Sequence, residues 1–458
     1  GYKIDEKLGG HEEERLLFEL LSRSATNRLY LSYQRADESG RVMAPSGFIA
    51  IAMQDPRFAG KQEETVPRRL TQRISERPSI QDLLPVEELA LGCLFQGHDS
   101  LPVLDALGRN RLLVEQGLTT LKTIERESIE LGLFDGIVGV QASAADVSFS
   151  PTSLERYATC PFQYFAEKVL RLEPVRRLQQ DHLPPLRIGT LLHESLRVSY
   201  ERLKLLQWPD SALTEALVQS TVQKAVIETF AGHAASQGTG HALLWTLACE
   251  QVTELVSAAV SSDQVEYLAT GFRPVAFEAS VQGVVSLESD SLSGFLKIHG
   301  TLDRVDYRAE PPAARIVDYK FKQGNEISPV DRNLPLSAVR GLRLQPPLYA
   351  RMTLPSLPAV TDVQLLFLAP QWKQPVTRST FDAGLWTGPT GDMIRETLST
   401  LVQGIAKREF FILPDGYCDY CEFSGACRRH DTIAWGRSHR SVQARALRKL
   451  RKQKVNDE

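Results

Sequence analysis

The chain has 458 residues, 42% hydrophobic and 24% charged, with a formal net charge of −3. That length is too great for one ordinary core and implies at least two domains, and the composition is that of a soluble globular protein. No apolar run is long enough to span a bilayer and no signal-peptide pattern is present, so a cytoplasmic protein with no membrane attachment is expected. The near-neutral balance does not by itself point to nucleic acid, and the opening Gly1 in place of Met reads as a fragment of a longer polypeptide.

Leu16, Leu17, Leu20 and Leu21 fall at helical spacing behind the acidic run Glu12 to Glu14, which favours a helix N-terminus. Leu29 to Tyr33 then alternates as a strand. This helix–strand pair resembles the final motor motif of UvrD-like helicases, with Arg23 at the position of the nucleotide-sensing arginine. No GxxxxGK[ST] loop occurs, so this chain alone is not expected to hydrolyse ATP. Residues 38 to 147 read as helical segments, such as Pro85 to Phe95 and Leu112 to Leu131, joined by polar linkers, and Cys93 reads as a small core residue. The small, polar stretch from Ala142 to Ser150 is the expected domain boundary, giving regions 1–147 and 148–458.

The second region opens with Thr152 and Glu155 at capping-box spacing, an apolar stripe of Leu154, Tyr157 and Phe162, and Pro161 as a break after Cys160. Far downstream, Cys418, Cys421 and Cys427 form a CxxC followed by a third cysteine, a spacing suited to a metal or a cluster. Three thiolates are one short of a closed site. Cys160 is the candidate fourth, since Cys249 lies in an apolar run and reads as core, and zinc and a [4Fe-4S] cluster both suit four thiolates. Between these ends, Gly189 and Thr190 start an apolar helix that carries His193. Helices near 212–230 and 241–260 and strands near 274–281 and 294–300 follow.

The stretch from Gly300 to Lys320 reads as two strands, Thr301 to Tyr307 and Ala314 to Lys320, separated by Glu310-Pro311-Pro312. The period of two puts Asp318 and Lys320 on one face, where they can meet Asp303 from the neighbouring strand. Asp306 has the opposite parity and reads as structural. Two acids and an amine on one sheet face suit a divalent cation and a phosphate. Gln345 and Tyr349 are one helical turn apart and face one groove if a helix begins at Pro346 and Pro347. A strand near 362–369 and a mostly helical stretch from 385 to 407 lead to the cysteines, and basic residues dominate from Arg428 to Lys454.

His193, Asp303, Asp318-Tyr319-Lys320, Gln345 and Tyr349, in this order, resemble the RecB-like branch of the PD-(D/E)XK nuclease superfamily. The bracketing cysteines resemble its AddB-type iron-sulfur nucleases, the C-terminal part of a helicase–nuclease subunit that processes double-strand breaks. The resemblance implies an α/β fold: a PD-(D/E)XK core with a mixed central sheet flanked by helices, after a helicase-derived, mostly helical N-terminal region. It further implies that Asp303 and Asp318, helped by His193 and the Tyr319 carbonyl, hold Mg2+ or Mn2+, that Lys320 assists the chemistry, and that Gln345 and Tyr349 position DNA. Cys160, Cys418, Cys421 and Cys427 would then hold a structural [4Fe-4S] cluster, and a helicase subunit would be the partner. Two readings follow, a metal-dependent nuclease acting on single-stranded DNA and a non-catalytic DNA-binding scaffold closed by the same cysteines.

Overall fold

A computed structural model describes residues 10–27, 29–34, 42–54, 56, 111–126, 130–139, 147–174, 183–209, 213–238, 241–287, 294–324 and 326–454. The chain divides into two compact units, Gly1–Thr123 and Ile124–Glu458. The expected segment 85–95, with Cys93, and most of the stretch 142–150 lie outside the described residues. The unit boundary precedes the expected one because Arg437, late in the chain, donates to the carbonyls of Ile124 and Arg126 and pairs with Asp135 at 2.8 Å.

The first unit contains α1 (Gly10–Ser24), α2 (Gly47–Met53) and most of α3 (Arg111–Glu125). Glu12 and Glu13 in the first turn of α1 and Arg23 in the last complement its dipole, and Phe18 stacks on Phe48 of α2 at 5.4 Å. Its four leucines, Leu16, Leu17, Leu20 and Leu21, are exposed. The strand expected at Leu29 to Tyr33 is not formed: residues 29–34 take no regular secondary structure. Alternation becomes a strand only where a neighbouring strand takes up its backbone hydrogen bonds.

After a short 3-10 turn at Leu133–Asp135, the second unit forms β1 (Ser148–Phe149), α4 (Pro151–Thr159) and α5 (Pro161–Tyr164), which runs into a π-helical turn at Phe165–Val169. Ser150, not Thr152, caps α4: its hydroxyl accepts from the Ser153 N–H with Pro151 at the first helical position, which leaves Glu155 free for another use. Three long helices follow, α6 (Pro185–Leu205), α7 (Glu215–Gln237) and α8 (Ala242–Thr270). α6 starts four residues before the expected Gly189 because Pro185 is tolerated in a first turn.

The sheet comprises β2 (Arg273–Ser286), β3 (Phe295–Arg308), β4 (Ala313–Phe321), β5 (Val360–Leu368) and β6 (Val376–Asp382), with β1 at its margin. The two strands expected at 294–300 and 301–307 are one continuous β3. β2 pairs antiparallel with β3 along its full length, β3 antiparallel with β4, β4 parallel with β5, and β5 antiparallel with β6. The short helices α9 (Pro329–Arg332), α10 (Leu334–Val339) and α11 (Gln345–Tyr349) link β4 to β5, and α12 (Pro389–Ala406), α13 (Thr432–Arg440) and α14 (Val442–Arg451) follow β6. This mixed sheet between helical layers is the α/β architecture the sequence implied.

β4 is central and buried on both faces, and its side chains divide between two cores. Ile316 belongs to one, with Leu154 of α4, Leu348 of α11 and Leu398 of α12. Val317 and Tyr319 belong to the other, with Leu192 of α6, Val226 of α7 and Val256 of α8. By length and composition α8 could cross a membrane, yet Val252, Leu255, Val256, Ala259 and Val260 are buried in this second core. α8 also carries Asp263, buried and ion-paired with Arg304 of β3 at 2.5 Å and with Arg378 of β6 at 2.6 Å. Asp306 pairs with the same Arg304 at 2.6 Å, on the face its parity assigned.

Candidate active site

β3 has two edges, and β2 occupies one of them throughout. On the other edge β1 pairs at Lys297 and Ile298 and β4 only from Arg304 to Arg308, so β3 and β4 fork at Asp303. Where the ladder ends, the Asp303 carboxylate replaces it: Oδ2 accepts the Tyr319 backbone N–H at 2.7 Å. The same oxygen lies 3.4 Å from Nδ1 of His193, which α6 brings edge-on to the Tyr319 ring at 5.7 Å. Burial disfavours the His193 cation, but the hydrogen bond and charge of Asp303, with Asp318, prevail and raise its pKa above the ordinary value.

Asp318 and Lys320 share the β4 face next to this fork. Asp318 Oδ2 is buried and lies 2.6 Å from Lys320 Nζ, so the two form a tight ion pair. Burial pushes the Asp318 carboxyl up; the Lys320 charge counters this while Asp303 adds to it. Burial works against the Lys320 ammonium, yet Asp318 and Asp303 hold its pKa above the usual lysine value. Gln345, at the start of α11, bridges the pair: its Oε1 accepts from Lys320 Nζ at 2.7 Å and its Nε2 donates to Asp318 Oδ1 at 3.1 Å.

Tyr349, one turn further along α11, is buried, with its hydroxyl 3.4 Å from the Thr301 carbonyl. It lies so close over β3 that a Cβ on Gly300 would sit 2.8 Å from its oxygen. Both α11 residues therefore reach inward, to the acid–lysine pair and to the β3 backbone, and no surface groove between them is formed by their side chains.

Two carboxylates that sequence reasoning did not assign also converge here. Glu278 on β2 is flanked by the pairs Phe277↔Arg304 and Ala279↔Leu302, which sets it opposite Asp303. It adopts φ 48°, a left-handed conformation uncommon for a non-glycine residue, and its carboxylate, that of Asp303 and the His193 ring bring donor atoms all within 4.8 Å of one another. Glu155 on α4 accepts the backbone N–H groups of Leu344 at 2.6 Å and Gln345 at 3.1 Å.

A second centre lies at the C-terminal end of α4. Cys160, Cys418, Cys421 and Cys427 line one cavity, with Phe162, Leu413 and Tyr417 among its walls. None of the four is in a disulfide. Cys160 is buried where α4 ends and Pro161 starts α5. Gln163 Nε2 donates to Cys421 Sγ at 3.3 Å and the Asp415 N–H to Cys418 Sγ at 3.4 Å. Burial, followed by the nearby sulfurs, pushes the Cys427 thiol up to about 12. Four thiols in such a pocket ionise together only beside a compensating cation, which fits a metal or cluster. Cys249 is packed against the second core, on α8. The basic C-terminal run is split: Arg437 and Arg451 are structural, whereas Arg440, Arg445 and Lys449 are exposed.

The profile of the PD-(D/E)XK nuclease superfamily matches residues 148–428. An ATP-dependent helicase/deoxyribonuclease subunit of Moorella thermoacetica is 29% identical over 377 residues, covering 76% of this chain and 30% of that protein. The proteins of the same name from Lysinibacillus sphaericus and Natranaerobius thermophilus are 24% and 23% identical, covering 67% and 69% of this chain but 28% and 27% of their own lengths. The chain thus spans less than a third of these relatives. With the profile extending from β1 through the third clustered cysteine, over more than half of its length, this chain belongs to the PD-(D/E)XK nuclease superfamily.

Proposed function

We propose that the chain is the nuclease portion of a helicase–nuclease subunit and cleaves single-stranded DNA in a Mg2+- or Mn2+-dependent reaction. The carrying observation is the fork between β3 and β4, where Asp303, Asp318, Lys320 and His193 meet. The donor set fits a hard divalent ion: the buried Asp318 carboxylate lies beside Asp303, and Asp303, Glu278 and His193 present a compact cluster of donor atoms. Asp303 and Asp318 would hold the ion, with His193 and the Tyr319 carbonyl, and Glu278 adds a third carboxylate within reach. When bound, such an ion supplies a polarised water and offsets charge on the scissile phosphate.

The protein's own groups do the rest. Lys320, fixed by Asp318 and Gln345, presents its ammonium where the attacking water and the phosphate charge must be steered. Asp303 orients His193, and the Tyr319 N–H orients Asp303. Gln345 and Tyr349 position the strand through the acid–lysine pair and the β3 backbone.

A [4Fe-4S] cluster held by Cys160, Cys418, Cys421 and Cys427 is part of this reading, as is a cytoplasmic setting in which thiols stay reduced. Four thiolates also suit tetrahedral zinc, and metal analysis distinguishes the two. A helicase subunit is the proposed partner, drawn from the names of the relatives.

The test is Mg2+-dependent cleavage of a single-stranded oligonucleotide by wild type, Asp318→Ala and Lys320→Ala, with folding followed by circular dichroism. Both variants are expected to fold and to lose cleavage, and a chelator should abolish the wild-type activity. Cleavage retained in either variant would sink the site assignment, and a folded wild type that binds DNA without cutting it would favour the scaffold reading.

A further inference from the structure

Glu155 is a partly buried carboxylate with no assigned part in the chemistry, and its surroundings are specific. It projects from α4, and its Oε1 accepts two consecutive backbone N–H groups, those of Leu344 at 2.6 Å and Gln345 at 3.1 Å, where α11 begins. An α11 of five residues containing two prolines has little stability of its own, since nucleating a helix is costly and proline removes donors. Its entry angle must be set from outside. Gln345, whose backbone Glu155 holds, is also the side chain that joins Lys320 to Asp318.

The junction is clamped from a second side. Asp331 of α9, which is buried, pairs with Arg343 at 2.7 Å and with Lys322 at 2.8 Å, so it ties the residue before Leu344 to the end of β4. Glu155 and Asp331 thus hold residues 343–345 between α4 and β4. Burial favours the neutral Glu155 carboxyl, whereas the Arg343 charge, the Leu344 N–H and Lys320 favour its anion.

We propose that Glu155 is a positioning residue for DNA cleavage, acting through the Gln345 backbone to keep the Gln345 amide on Lys320 and Asp318; this rests on the nuclease reading above. Groups held out of alignment by as little as an ångström lose ~10- to 100-fold in rate. Removing the Glu155 anchor should therefore lower kcat far more than it changes KM.

The experiment compares full-length wild type, Glu155→Ala, Glu155→Gln, Gln345→Ala and the Glu155→Ala/Gln345→Ala double variant by two readouts. The first is amide hydrogen exchange at Leu344 and Gln345, which does not depend on activity. The second is kcat and KM for a single-stranded oligonucleotide with Mg2+. Glu155→Ala is expected to speed exchange at both amides and to lower kcat ~10- to 100-fold with KM within about twofold. Glu155→Gln, which keeps an accepting oxygen but not the charge, should fall between it and wild type. The double variant should be no slower than Gln345→Ala alone, since both residues act on one element.

Slow exchange preserved in Glu155→Ala, an unchanged kcat, or losses that multiply in the double variant would each overturn the proposal. If Glu155→Ala does not fold, the same cycle with Glu155→Gln decides by the same outcomes. A wild type that cleaves nothing overturns the nuclease reading, whereas unchanged exchange in the Glu155 variants overturns this one.

Discussion

Gly300→Ala is a sharp test of how α11 sits on the sheet. Glycine in a strand interior is ordinarily a weak choice, so alanine there would stabilise if space allowed. Here it does not. The added Cβ would lie 2.8 Å from the Tyr349 hydroxyl, 3.1 Å from Cε1 and 3.3 Å from Cζ. Reaching an ordinary contact of about 3.4 Å requires the hydroxyl end of the ring to retreat by about 0.6 Å and Cε1 by about 0.3 Å. Tyr349 is 3% exposed and belongs to the first core, so the ring has no free space to take up this shift. Overpacking of this kind costs ~1–3 kcal/mol, or a fall in Tm of about 2 °C for each kcal/mol in a large domain. The same displacement moves the helix that carries Gln345 and should slow cleavage ~10-fold or more. Thermal unfolding and single-turnover cleavage of an oligonucleotide measure the two effects. Tyr349→Phe in the Gly300→Ala background removes the worst contact and should recover most of the lost stability. Wild-type Tm and rate in Gly300→Ala, or no recovery with Tyr349→Phe, would refute the reasoning.

The Asp263 network should govern acid stability. Burial alone would raise the Asp263 carboxyl, but the Arg304 and Arg378 guanidiniums and the Tyr200 hydroxyl hold it below the usual aspartate range. A depressed folded pKa gives stability that is complete above the unfolded value of ~3.9 and lost as pH falls through the folded one. Asp263→Asn should therefore cost ~3–5 kcal/mol at pH 7, measured by denaturant titration, and should flatten the pH dependence of stability below about pH 4. Wild-type stability at pH 7 in Asp263→Asn would contradict the network's role. For the second centre, anaerobically purified wild type should absorb broadly in the visible and contain iron and sulfide in equal amounts. Cys160→Ser should lose both and unfold at lower temperature, whereas Cys249→Ser should keep them. A colourless wild type with zinc in place of iron would replace the cluster assignment.

The fork between β3 and β4 was legible because strand periodicity leaves few choices: once 301–307 and 314–320 pair, Asp318 and Lys320 share a face and Arg304 and Asp306 take the other. The cysteine centre was legible because Cys418, Cys421 and Cys427 are close in sequence and few other thiols could join them. Glu278 was not, because its place opposite Asp303 depends on the β2–β3 register and on a left-handed residue, neither of which a local pattern encodes. Glu155 was misread through a true local signal. Thr152 and Glu155 have capping-box spacing, but Ser150 followed by Pro151 wins the cap by two residues, and only tertiary structure shows what the released carboxylate does. β6 escaped notice because Val376 to Asp382 is a half-buried strand with weak apolar alternation. Leu29 to Tyr33 shows the reverse error, alternation with no strand.

The pairing of early and late segments in the second unit bears on how it is made. Tyr157 donates to the Glu409 carbonyl across 252 residues, Arg451 to the Ala158 carbonyl across 293, and Arg437 to that of Ile124 across 313. At ~5–20 residues per second of synthesis, these partners leave the ribosome ~10–60 s apart. Through that interval α4 lacks the contacts that seat it, and with it Glu155 and Cys160. The fork between β3 and β4 can pair early, but the anchoring of Gln345 waits for the last helices. A chain still being translated is thus expected to leave α4 unseated, and with it the Glu155 contact to Gln345, until α14 docks.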